Sequence, residues 1–192
     1  MTTDLYTDDI RAAVETLRRG GIILYPTDTV WGIGCDATNA AAVARVFDIK
    51  RRTDAKALIT LVDSVAALER LVDDIPDAAY QLIDVAVEPL TIVYDSAHGV
   101  APQLLAADGS IGVRITEEPF SRRLCHTLCK PLVSTSANVS GDPTPLCFSD
   151  ITPQIIQAVD YVCLSRRDES PAAKASTIIK VSAGNVIHLI RK

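Results

Sequence analysis

Three runs of this 192-residue chain gather side chains able to hold anions or a nucleotide: PTDT at residues 26–29, KRRTDAK at 50–56 and STSANVSG at 134–141. The second run puts Lys50, Arg51, Arg52 and Lys56 within seven residues. Lysine offers a point charge and arginine a planar fork, and both suit phosphate or carboxylate. The same cluster also suits a solvated helix end, where the dipole favours cations. Lys50 and Arg52 share a face only where the helix has stopped and the chain is extended. As anion ligands both are expected to be exposed.

The third run carries hydroxyls and an amide at Ser134, Thr135, Ser136 and Asn138. If extended, Ser134, Ser136 and Asn138 alternate to one side. That set suits phosphates, ribose or a base, and it also suits a plain polar loop. The first run, with Thr27, Asp28 and Thr29, follows an apolar strand and precedes Trp31 and Gly32-Ile33-Gly34. Open α/β sheets build ligand crevices at such strand ends; a buried strand and turn with Trp31 in the core is the plainer reading. Arg114, in a short strand, is a fourth candidate. GxGxxG and GxxxxGK[ST] are absent. Nothing ties His98, His126 or His188 to a nucleophile. Cys125, His126 and Cys129 suit core or surface roles better than zinc, because His126 points away from the cysteine pair on a helix. The chemistry is therefore expected to rest on positioning and charge. Phosphoryl or nucleotidyl transfer, ordinarily with Mg²⁺, needs little more.

Periodicity supplies the elements that must position these groups. A first helix is expected from Thr7, with Ile10, Val14 and Leu17 on one face and a stop at Gly20-Gly21. A buried strand covers 22–25. Asn39 caps a second helix with Val43, Val46 and Phe47 inward, running to the Lys50–Arg52 cluster. A strand at 57–62, a short helix from Ser64 through Leu71 and a helix at 78–86 follow. Then come strands at 90–94 and 110–115, a helix opened by Pro119, and a short strand of Leu132 and Val133. A helix near 150–158, strands at 161–164, 177–181 and 186–190, and a polar loop at 165–175 complete the chain. Strands and helices intermix without a strict βαβ repeat. The fold class is α/β: a single domain with a twisted, mixed, open sheet and helices packed on it.

Composition narrows the classes. Nearly half the residues are apolar, 22% are charged and the formal net charge is −5. Disorder and bulk electrostatic binding of nucleic acid are not indicated. No run approaches a membrane span. The first ten residues lack the basic and apolar regions of a signal peptide. Five scattered cysteines suit a reduced, cytoplasmic setting.

The YPTDTVWGIGCD stretch, KRRTDAKAL, the SIGVRI strand with Arg114, and KPLVSTSANVSG, in that order, resemble the YrdC/Sua5/YciO family in its short bacterial form. The resemblance covers residues 12–190. It implies a YrdC-like fold and L-threonylcarbamoyladenylate synthase activity. The substrates would be L-threonine, bicarbonate and ATP, with Mg²⁺ accompanying ATP and pyrophosphate released. A partner complex would then transfer the threonylcarbamoyl group to adenosine 37 of tRNA, so that contact with tRNA is indirect. The family's Lys-x-Arg pair matches Lys50 and Arg52, placed at the carboxylate and phosphates. Its early threonine matches Thr27, its following lysine Lys56, its V-R strand Arg114, and its Ser-x-Asn pair Ser136 and Asn138. Ser134 is placed with the latter two on ATP, and Arg166, Lys174, Ser176 and Thr177 along the nucleotide side.

Several positions depart from the pattern. Thr53 stands where the family has proline, Ala57 replaces the proline of Lys-Pro-Leu, and VEPLT at 87–91 lacks the family's tryptophan and glycine. RRDESPAAKAST at 166–177 replaces a glycine-rich loop. The alternative within the family is a non-catalytic role in RNA binding or ribosome maturation. Carbamoyl transfer lacks its accompanying zinc-finger and acylphosphatase portions here. A sugar-phosphate enzyme would need acidic Mg²⁺ ligands, for which only Asp28 and Asp36 are near.

Overall fold

The first helix, α1 (Thr2–Arg18), begins five residues before the expected Thr7. No glycine or proline interrupts residues 2–7, so nothing local stops the helix from extending toward the N-terminus. The computed structural model describes residues 2–51, 58–169 and 176–192. Gly20, at φ +78°, ends α1 as expected.

Strands β1 (Ile23–Tyr25), β2 (Gly32–Gly34), β3 (Ile59–Val62), β4 (Leu90–Tyr94), β5 (Ile111–Ile115), β6 (Leu132–Ser136), β7 (Tyr161–Val162), β8 (Thr177–Ser182) and β9 (Val186–Arg191) form one sheet. Its order is β7-β1-β2-β6-β3-β5-β4-β8-β9. The β1/β7, β3/β5 and β4/β8 pairs are parallel and the rest antiparallel, the mixed sheet that the element pattern predicts. Helices α2 (Ala40–Lys50), α3 (Val65–Glu69), α4 (Asp77–Val85), α5 (Pro119–Leu128) and α6 (Pro153–Ala158) connect the strands. α1 packs on α5 and against β1 and β7, while α5 packs on β3. Ile10, Val14 and Leu17 of α1, Val43 and Val46 of α2, and Phe120, Leu124 and Leu128 of α5 are buried in the core.

Two short strands fell short of or beyond expectation. β7 stops at Val162 because Asp9, itself buried, accepts from the backbone N–H groups of Leu164 and Ser165 and from the Tyr161 hydroxyl. Ladder bonding is replaced there by a carboxylate on α1. β6 instead runs on through Ser134, Thr135 and Ser136, where a polar loop was the plainer expectation. It lies between β2 and β3, and Ser134 pairs with Ile59, Thr135 with Ile33 and Ser136 with Gly32. A central position in the sheet outweighs the low strand preference of serine.

Candidate active site at the end of β6

Asn39 starts α2 by accepting from the N–H groups of Ala41 and Ala42. Arg51, at φ 49°, ends it in the left-handed region, so the helix stops at Lys50. The Lys50 side chain turns inward and is only 2% exposed. This corrects the expectation of an exposed anion ligand. Its ammonium donates to the Ser136 carbonyl (2.6 Å), the Asn138 carbonyl (2.5 Å) and the Asn138 Oδ1 (3.0 Å). The Ser136 Oγ lies farther off, at 3.4 Å, and donates to the Asn138 Oδ1 at 2.6 Å. A lysine ammonium has three protons, and neutral oxygens of one short segment take them. Ser140 returns the contact, its N–H bonding to the Lys50 carbonyl. Asn138 Nδ2 donates to the Asp142 carbonyl, which fixes the amide's orientation.

Beside this clamp, β2 approaches its neighbours closely because it carries glycine. A Cβ on Gly32 would come within 3.1 Å of Thr27 Cγ2 and 3.3 Å of Ser134 Oγ. A Cβ on Gly34 would meet the Val133 carbonyl at 2.7 Å and the Tyr25 ring at 2.8 Å. The fully buried Tyr25 ring thus occupies the space that the two glycines leave. Thr27 closes a local turn. Its hydroxyl donates to the Val30 carbonyl and accepts from the Thr29 N–H.

Arginines hold the same turn from outside. Arg114 on β5 is 5% exposed; it donates to Asp28 Oδ1 at 2.7 Å and to the Thr91 hydroxyl at 3.1 Å. Thr91 lies 3.3 Å from the Ser176 hydroxyl, and Arg191 donates to the carbonyl and hydroxyl of Ser176. Burial, and then the nearby positive charge of Arg114, lower the pKa of Arg191. Arg166 donates to the Thr27 carbonyl (3.2 Å), to Glu118 (2.8 Å) and to Glu169 (2.6 Å). Burial opposes its charge, but the carboxylates of Glu169 and Glu118 outweigh that and raise its pKa. Glu118 also caps α5, accepting from the N–H groups of Phe120 and Ser121, and the Ser121 hydroxyl donates to the Pro26 carbonyl.

The structure therefore brings together Thr27, Lys50, Ser134, Ser136 and Asn138, with Arg166 bonded directly to Thr27. It joins Arg114 and Ser176 in a second network that reaches the same turn through Asp28. Arg52, Lys56 and Lys174 lie outside the described residues. Asp28, weighed from sequence as a metal ligand, is instead the partner of Arg114. Thr91, Glu118 and Arg191 escaped sequence reasoning. Glu118 had a signal, a carboxylate just before the Pro119 helix start, whereas Arg191 had none. Elsewhere, His126 bonds Asp63 at 2.9 Å, and burial pushes up the pKa of the Cys125 thiol. Among the described residues no three His, Cys, Asp or Glu side chains are grouped to hold a metal, and no helix is long and apolar enough to cross a membrane.

Residues 15–192 match the Sua5/YciO/YrdC family model, whose description is telomere recombination. The chain is 39% identical over 155 residues to the threonylcarbamoyl-AMP synthase of Pseudoalteromonas translucida, covering 79% of this chain and 83% of the relative. It is 33% identical over 180 residues to that of Stenotrophomonas maltophilia, covering 92% and 95%. Among solved structures, P. abyssi Sua5 complexed with L-threonine superposes with a TM-score of 0.79 at 29% identity, over 89% of this chain and 50% of that one. This chain spans about half the length of that protein. E. coli YciO shares the fold, with a TM-score of 0.82 at 24% identity over 95% and 88% of the two chains. The chain therefore belongs to the Sua5/YciO/YrdC family, and the curated relatives it matches are named threonylcarbamoyl-AMP synthases.

Proposed function

We propose that the protein condenses L-threonine, bicarbonate and ATP into L-threonylcarbamoyl-AMP and pyrophosphate. The observation that carries this reading is the convergence of Lys50 on Ser136 and Asn138 beside the Thr27 turn. It is a polar site fixed by its own hydrogen bonds before any substrate arrives. A preorganised positive charge of this kind stabilises developing negative charge without reorganising during the reaction.

Threonine would lie against Thr27, with Arg114 on that side and Arg52 at its carboxylate, while Arg166 and Ser176 would line the nucleotide side. Its amine attacks the carbon of bicarbonate, water leaves, and a carbamate forms. A carbamate oxygen then attacks the α-phosphorus of ATP, and the bond to the β-phosphate oxygen breaks to release pyrophosphate. Ser134, Ser136 and Asn138 would hold the phosphates and ribose, with Lys50 and Lys56 supplying positive charge. Mg²⁺ enters as the companion of ATP. Because Asp28 is engaged with Arg114, and Glu118 and Glu169 with Arg166, phosphate oxygens would be its main ligands. The product would pass, in the cytoplasm, to a transferase complex that modifies tRNA, with no direct grip on tRNA by this chain.

The test is pyrophosphate release by purified protein with ATP and Mg²⁺, adding bicarbonate and single amino acids in turn. Release that needs both bicarbonate and threonine is the expected result. Release indifferent to either would reject the reading.

A further inference from the structure

Among the described residues, a cleft of about 900 Å³ opens where β3 ends and β6 begins. Val62 ends β3 and Pro131 precedes β6, so the cleft lies where those antiparallel strands leave the sheet away from Ser136. α3 and α5 wall it. Among its lining residues are four cations, Arg70, Arg122, Arg123 and Lys130, and one carboxylate, Asp63, in a chain with 24 acidic and 19 basic residues.

These cations differ in how they are held. Asp63 is bonded to His126 and to the Ser64 hydroxyl. Lys130 is bonded to buried Asp36, while Arg122 meets Glu117 only in an exposed pair, a contact easily exchanged. Arg123 touches the Thr7 hydroxyl and sits over the Tyr6 ring. Arg70 is exposed and has no ion-pair partner among the described residues. Beneath them, Val62, Leu71 and Pro131 give the cleft an apolar floor.

We infer that this cleft binds a small organic phosphate of the nucleotide class, with the ring on the apolar floor and the phosphates on the arginine rim. Its volume lies within the roughly 300–1,000 Å³ range of small-molecule sites. Arginine forks match phosphate oxygens, and an apolar body accounts for the floor better than a bare anion or a nucleic-acid backbone does. The inference stands apart from the catalytic reading, because none of these residues belongs to the Lys50 site.

Cys129 makes the test local. It lines the cleft and is exposed, while Cys35, Cys125 and Cys163 are buried and Cys147 lies outside the cleft as an internal reference. Alkylation of each cysteine is followed by mass spectrometry with ATP, inorganic phosphate or tRNA as probe. ATP is expected to slow Cys129 alkylation several-fold while phosphate at the same concentration does far less. The Arg70→Ala/Arg122→Ala variant should lose that protection with an unchanged melting temperature. Equal rates with and without ATP, protection that survives in the variant, or protection by tRNA alone would each overturn the inference.

Discussion

The candidate site and the cleft treat their cations in opposite ways. Around the Thr27 turn, Lys50 and Arg114 are buried, and each is held by oxygens of neighbouring elements. In the cleft, Arg70, Arg122 and Arg123 reach outward from helix and loop surfaces, while Lys130 is anchored on buried Asp36. A buried cation fixed by many acceptors is part of the scaffold and also sets the geometry of a site. An exposed one can be lost with little effect on folding. The first arrangement suits chemistry that needs alignment; the second suits reversible capture of an anion.

Substitutions should separate the two regions in order of effect. Arg114→Ala strands Asp28 and removes the donor from Thr91. Breaking a buried pair from one side costs about 3–5 kcal/mol, so urea unfolding should show the largest loss here, larger than for any cleft variant. A stable Arg114→Ala protein would show the pair to be dispensable. Gly34→Ala forces a methyl against the Val133 carbonyl and the Tyr25 ring. Overpacking of that kind costs about 1–3 kcal/mol, read as a lower melting temperature. Gly32→Ala pushes on Thr27 and Ser134 less severely. It should cost less stability than Gly34→Ala but raise the KM for threonine or ATP; unchanged kinetics would place the active groups elsewhere. Arg70→Ala should shift stability by no more than about 0.5 kcal/mol and leave synthesis intact.

The smallest effect concerns pH. Burial raises the pKa of Asp63, but hydrogen bonds from His126 and Ser64 outweigh it and hold the carboxyl below its ordinary value. A depressed folded pKa gives stability that is present above the unfolded value of about 3.9 and lost as pH falls through the folded one. Melting temperatures measured downward from about pH 5 should therefore decline less steeply for Asp63→Asn than for the parent. Parallel curves would deny the carboxylate this role.

Local chemistry made much of this legible. Asn39, Gly20 and Pro119 mark helix ends through their own backbone and side-chain chemistry, while the turn and glycines at 27–34 suited a crevice and a plain buried strand and turn alike. The Ser-x-Asn run stood out by type, and the structure sets it at the end of β6 beside Lys50. Its extension of β6 to Ser136 was not legible, because serine has no preference for a strand and only the neighbours β2 and β3 impose one. The burial of Lys50 was hidden for a related reason: its acceptors lie 86 and 88 positions away, and no local pattern distinguishes a cation bound for such oxygens from one at a wet helix end. Arg191 and Thr91 meet through Ser176 by sheet topology alone.

The central claim is that the Lys50 clamp on Ser136 and Asn138 is the working site. Mass spectrometry of the nucleotide product, formed from ATP, isotopically labelled bicarbonate and threonine, tests it most directly. The wild-type protein should yield an adenylate carrying both the label and threonine, and a folded Lys50→Ala variant, checked by circular dichroism, should yield none. The same labelled adenylate from the variant at the wild-type rate would contradict the account.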